Sequence, residues 1–116
     1  MSEIISIVVI ITAVSLIFGG YVMCRIKDNT DTSIGFRTEK SLKSNETWLF
    51  ANHLCGKIWI VTGISSLVLI IISMFLTDVL SFIVFALQTF MMIFSAVYVE
   101  IKLKDNFDEN GRYIDK

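Results

Sequence analysis

Residues 58–99 read IWIVTGISSLVLIIISMFLTDVLSFIVFALQTFMMIFSAVYV, and this stretch decides the fold. Of Lys, Arg, Asp, Glu and His it contains a single residue, Asp78. As one helix it would run about 63 Å, roughly twice the ~30 Å hydrocarbon core of a bilayer. It must therefore fold back as a hairpin, and Thr77-Asp78 marks the turn, with Asp78 the expected N-cap of the returning helix. Two spans result, Ile58–Leu76 and Val79–Val99.

A third apolar block, Ile4–Met23, lies nearer the start of the chain, and none of the three contains a charged residue or histidine. A charge near the bilayer centre costs on the order of 2.5 kcal/mol or more. In a chain of 116 residues that is 54% hydrophobic, 18% charged and free of proline, three charge-free blocks of about 20 residues indicate membrane spans rather than a soluble core. The fold class read here is an all-α membrane protein of three transmembrane helices in a single domain, residues 1–116. The first helix covers about 4–24, the second about 46–76 and the third about 79–100, the last two forming a helical hairpin. The first block is read as a mature helix and not a signal peptide: Glu3 replaces a basic flank, the apolar run is long, and no small-x-small cleavage site follows.

The basic residues fix the expected orientation. Arg25, Lys27, Arg37, Lys40, Lys43 and Lys57 fall between the first and second blocks, and Lys102, Lys104, Arg112 and Lys116 follow the third. Lys and Arg near helix ends stay in the cytoplasm. The N-terminus is then outside, and the loop of residues 25–47 and the charged tail of residues 101–116 share the cytoplasmic side. The tail is expected to fray past Lys104.

Within the first helix Ser15 and Gly19 offer a small-x-x-x-small face, read as ordinary helix packing. Ser44 and Asn45 are N-cap candidates for the second helix, Glu46 supplies first-turn negative charge, and Trp48, Ala51, Cys55 and Trp59 recur at helical spacing. Trp59 beside Lys57 reads as an interfacial anchor. Gln88 lies near mid-depth of the third helix and needs a partner in hydrocarbon. The hydroxyls of Thr12, Ser15, Ser65 or Ser66 are within reach if it faces the bundle, making a cross-link rather than a transport site.

The polar segment Ile34–Lys57 holds most of the remaining chemistry. It contains no phosphate-cradling glycine loop, and a lone His53 cannot assemble a Ser-His-Asp triad. His53 and Cys55 are two apart, on different helix faces, and no second Cys or His pair completes a metal site. Cys24 and Cys55 both fall on the reducing side, so a disulfide is not expected. The expectation is a non-enzyme without cofactor or metal. Gly35 can take φ > 0 or let backbone pass close to a helix end. Thr38 and Ser41 supply turn and cap hydrogen bonds, and Arg37 offers a planar five-donor fork. That fork can pair with Glu46 or Glu39, bind lipid phosphate, or cap the last carbonyls of the first helix. Two roles stay open for the segment, a folded lid that holds the helices in register and a surface for ligand recognition.

The run Ile34-Gly35-Phe36-Arg37-Thr38, followed by Ser41, Trp48, Ala51, Asn52, Gly56 and Lys57, resembles the signature of the SdpI family of bacterial membrane proteins. That family is named for an immunity protein against a secreted killing peptide. The resemblance covers nearly the whole chain and implies one membrane helix, the motif, then a helical hairpin. It corresponds to the C-terminal half of the full-length immunity protein, as a short member. It also implies the function: immunity to a secreted peptide toxin, or retention of a cytoplasmic transcriptional repressor at the bilayer for signalling, with no direct nucleic-acid binding. The alternative from another class is a small transport or channel subunit, which would need oligomers because three helices enclose little water.

Overall fold

A computed structural model describes residues 2–28 and 35–114. Ile34 and the loop residues 29–33 lie outside the described residues, as does Lys116. The described residues form three helices: α1 (Ser2–Cys24), α2 (Asn45–Phe75) and α3 (Asp78–Asn106). Each is long and apolar enough to cross a membrane. Large side chains such as Phe18, Phe75 and Phe90 remain exposed because their faces meet no other part of the chain. A three-helix bundle leaves most of each apolar helix for lipid to cover.

α2 runs antiparallel to both neighbours, so the starts of α1 and α3 and the end of α2 meet at one end, here termed the hairpin end. The ends of α1 and α3 and the start of α2 meet at the other, the motif end. α1 packs on α2 through small residues spaced seven apart on each helix. A Cβ at Gly56 would sit 2.7 Å from the Gly20 carbonyl oxygen, and one at Gly63 would sit 2.7 Å from that of Ala13. Backbone therefore meets backbone at two levels, which only residues with little or no side chain permit. The small-residue seam runs through Ala13 and Gly20 rather than Ser15 and Gly19. Ser15 is exposed and its hydroxyl donates to the Ile11 carbonyl of its own helix.

α1 meets α3 by both polar and apolar contact. The hydroxyls of Ser6 and Ser81 lie 3.5 Å apart, and Ser73 of α2 approaches Ser81 at 3.4 Å. Val9, Ile70 and Val84 form a small apolar cluster at this end. Buried Gln88 faces inward, and its Nε2 donates to Ser66 Oγ at 3.0 Å and to the Val9 carbonyl at 3.3 Å. One amide thus joins all three helices. Of the four hydroxyls within sequence reach, it is Ser66 that meets it.

Two helix ends differ from their expected form. The N-cap of α3 is Thr77, whose side chain makes no cap bond, and Asp78 is instead the first helical residue, where its charge faces the positive end of the helix dipole. α3 continues past Glu100 to Asn106, and the residues beyond Lys104 do not fray. Residues 107–113 form a tight hairpin closed by a bridge between Phe107 and Tyr113. The Gly111 amide donates to the Asp108 carbonyl at 3.1 Å, and Gly111 has φ of +78°, the left-handed residue that completes a three-residue hairpin loop. Asp108 Oδ1 accepts from the amides of Asn110 and Arg112, both at 2.9 Å. These bonds hold its carboxyl below the usual aspartate range, the Arg112 amide foremost.

Candidate functional site

The motif end is built on a hydroxyl network that folds residues 35–47 over the helix ends. Ser41 is fully buried, and its hydroxyl lies 3.0 Å from the Phe36 carbonyl and 2.9 Å from that of Thr38. It also accepts from the Thr38 amide at 2.8 Å, while the Ser41 amide donates back to Thr38 Oγ1 at 3.2 Å. The same reciprocal pattern recurs three residues on. Ser44 is the N-cap of α2 and accepts from the Thr47 amide, while the Ser44 amide donates to Thr47 Oγ1 at 2.9 Å. Thr47 then donates from its buried hydroxyl to the Ser41 carbonyl at 3.0 Å, joining the two units. A threonine here fills the place usually taken by Glu or Gln in a capping box.

Asn52 ties this cover to α2. It is fully buried, its Oδ1 accepts from the Phe36 amide at 2.6 Å, and its Nδ2 donates to the Trp48 carbonyl at 2.8 Å. Gly35, with φ of +120°, lies so close above that a Cβ would collide with Asn52 Oδ1. Both reasons for glycine, conformation and space, hold at this one position. On the other side Thr38 Oγ1 donates to Glu100 Oε1 on α3. His53 Nε2 donates to the Ile26 carbonyl at 2.8 Å, so the end of α1 is held by a histidine rather than by Arg37.

Beneath the cover lies the larger apolar cluster, with Met23, Ala51, Cys55, Val99, Leu103 and Phe107 buried. Trp48 is also fully buried, and its indole N–H has no hydrogen-bond partner among the described residues. Trp59 is half-buried. It packs against this cluster and donates from Nε1 to Ser95 Oγ at 3.1 Å. Cys24 and Cys55 are free thiols. Among the described residues no group of three or more His, Cys, Asp and Glu side chains is placed to hold a metal ion.

The tail hairpin closes the same end. Ser44 Oγ lies 2.6 Å from the Gly111 carbonyl oxygen, and Phe107 stands edge-on to Phe50 with ring centroids 5.3 Å apart. Glu100, Thr47 and this hairpin are the parts of the site that the sequence reading missed. The pair Asn110-Gly111 after Asp108 is a turn signal that marks the hairpin, whereas nothing in the sequence pairs Thr38 with Glu100.

The motif thus divides. Gly35, Thr38, Ser41, Trp48, Asn52 and Gly56 are brought together in the fabric of the motif end. Arg37 and Lys57 are exposed. Neither Glu39 nor Glu46 pairs with Arg37, whose guanidinium has no hydrogen bond or ion pair among the described residues. Arg37 instead edges an apolar cavity of about 410 Å³, walled by Phe18 and Val22 of α1, Phe36 of the cover and Trp59 of α2. Gln88 stands apart from this constellation, in the body of the bundle.

No curated protein and no solved structure matches the chain. The model of the SdpI/YfhL protein family matches residues 25–99, from just past the end of α1 through the motif and α2 to most of α3. That match spans more than half of a multi-pass membrane chain, and the chain belongs to the SdpI/YfhL protein family.

Proposed function

We propose that this protein protects a bacterial cytoplasmic membrane against a secreted peptide toxin, acting through the outward edge of the Ile34–Lys57 segment, which also serves to retain a cytoplasmic regulator. The mode is binding, not catalysis. The observation that carries this reading is the division of the motif. Its buried polar residues are consumed in holding the segment on the helices, which leaves Arg37 exposed and without a hydrogen bond or ion pair among the described residues. A guanidinium that served only the fold would be expected to spend its donors on neighbouring carboxylates or helix carbonyls. The one-sided Lys and Arg distribution supports a cytoplasmic position for this edge. Gln88, engaged by Ser66 and the Val9 carbonyl, supports a structural cross-link over a transport site.

The test is Arg37→Lys, which keeps the charge and removes the bidentate fork. Toxin protection and regulator recruitment are measured per membrane-inserted molecule. A charge-assisted contact of roughly 1.5–3 kcal/mol predicts a loss of about tenfold or more in the function the edge serves. Wild-type activity per molecule in both assays would refute recognition by this edge.

A further inference from the structure

The cavity at the edge of Arg37 has a depth as well as a shape. Phe18 and Val22 place its wall on the last turns of α1, and Phe18 is 70% exposed on the lipid-facing side of that helix. Just beyond, the Arg25 guanidinium lies 5.8 Å from the centroid of the Tyr21 ring, a pairing suited to headgroup depth. The cavity therefore begins below the headgroups and ends at the cover, where Arg37 stands. Gly19 keeps it open: a Cβ there would already touch the Trp59 ring at 3.4 Å, and a longer side chain would fill the space. α3 contributes no lining residue. At about 410 Å³ the space falls within the range of small-molecule sites, roughly 300–1,000 Å³.

We infer that this groove is a site for one anionic phospholipid of the surrounding bilayer, with its upper acyl chain against Phe18, Val22 and Trp59 and its phosphate on Arg37. The charge argument selects the occupant. An apolar wall alone would accept any acyl chain, but a guanidinium at its upper edge that has no ion pair among the described residues favours a lipid with net negative charge. Glu100, the carboxylate that the cover touches, accepts from Thr38, and among the described residues Arg37 has no ion pair. Lipid then completes the motif end on the side where α3 does not reach. Bound there, it would brace Phe36 and the cover against α1.

The site is tested with the full chain reconstituted in phosphatidylcholine bilayers. A small, equal mole fraction of phosphatidylglycerol or phosphatidylcholine, brominated in the upper acyl chain, is then added. Trp48 is fully buried, so quenching by bromine reports Trp59, and a Trp59→Phe protein supplies the background. Brominated phosphatidylglycerol should quench Trp59 several-fold more than brominated phosphatidylcholine. Arg37→Gln should abolish that excess, while Arg25→Gln, at similar depth but outside the groove, should keep most of it. Equal quenching by the two lipids would overturn the site and leave the groove to a neutral acyl chain or a peptide. An excess that survives Arg37→Gln, or that Arg25→Gln removes equally, would also overturn it, as general attraction to a basic surface. No toxin or regulator enters this assay, so its outcome is independent of the immunity reading.

Discussion

The two ends of the bundle are held by different means. At the hairpin end α2 and α3 reverse through Leu76 and Thr77 without a side-chain cap. The contacts there are three serine hydroxyls at 3.4–3.5 Å and a cluster of Val9, Ile70 and Val84. At the motif end a continuous chain of hydroxyl and amide bonds runs from Phe36 through Ser41, Thr47 and Ser44 to Gly111, above a larger apolar cluster. Serine contacts in hydrocarbon are tolerant, since each hydroxyl can fall back on a carbonyl of its own helix, as Ser73 does with Ile70. The motif end has less freedom because Asn52, Ser41 and Thr47 each make two or more hydrogen bonds from a buried position. Specific structure is concentrated at one end, and that is where the outward Arg37 is displayed.

The largest effect should follow from breaking the motif end. Trp48 is fully buried on the first turns of α2, and Asn52 is bonded to its carbonyl one turn away. Trp48→Ala should cost about 3–5 kcal/mol through the cavity it leaves. In detergent the expected result is a large fall in the melting temperature and poor accumulation in cells. A loss under about 1 kcal/mol would mean that the cover, not the apolar cluster beneath it, carries the stability of this end.

A smaller change is expected from Gln88→Leu, which removes the amide that joins the three helices towards the hairpin end. Interhelical hydrogen bonds in membranes average about 0.6 kcal/mol, with values up to about 1.7. The variant should insert normally and lose stability within that range, far less than Trp48→Ala. A loss as large as that of Trp48→Ala would erase the contrast between the two ends.

The spans and the hairpin were legible because hydrocarbon imposes a long, uncharged run on any crossing helix, and residues 58–99 break theirs only at Asp78. The inward turn of Gln88 was legible for the same reason, since an amide in lipid must find a partner. Ser44 as the cap of α2 could be read from local chemistry. The small-residue seam was harder, because Ser15-Gly19 and Ala13-Gly20 differ by a rotation about the helix axis that spacing alone does not fix. Thr38 with Glu100, and Ser44 with Gly111, join residues more than sixty positions apart. No local rule encodes such pairs. The tail was misread for a different reason: its charge suggested solvent and fraying, while the turn residues Asp108, Asn110 and Gly111 carried the opposite signal.

That tail offers the finest adjustment of the motif end. Asp108 is exposed, yet its carboxylate accepts from the Arg112 and Asn110 amides, and these bonds lower its pKa from the ordinary 3.8. A carboxyl with a lowered folded pKa contributes stability above its unfolded value and loses it as pH falls through the folded one. The hairpin should therefore stay closed from neutral pH down to about pH 4 and loosen below it. The Tyr113 ring, 4.3 Å from that of Phe107, provides the readout, because ring-proton shifts in a micelle-bound sample report whether the two remain together. Asp108→Asn keeps an oxygen acceptor but cannot titrate, so its Tyr113 shifts should be flat through this range while α3 is unchanged. A wild-type profile equally flat would mean that Ser44, by its bond to the Gly111 carbonyl, holds the hairpin closed without the carboxylate, so the tail would belong to the rigid fabric of the motif end.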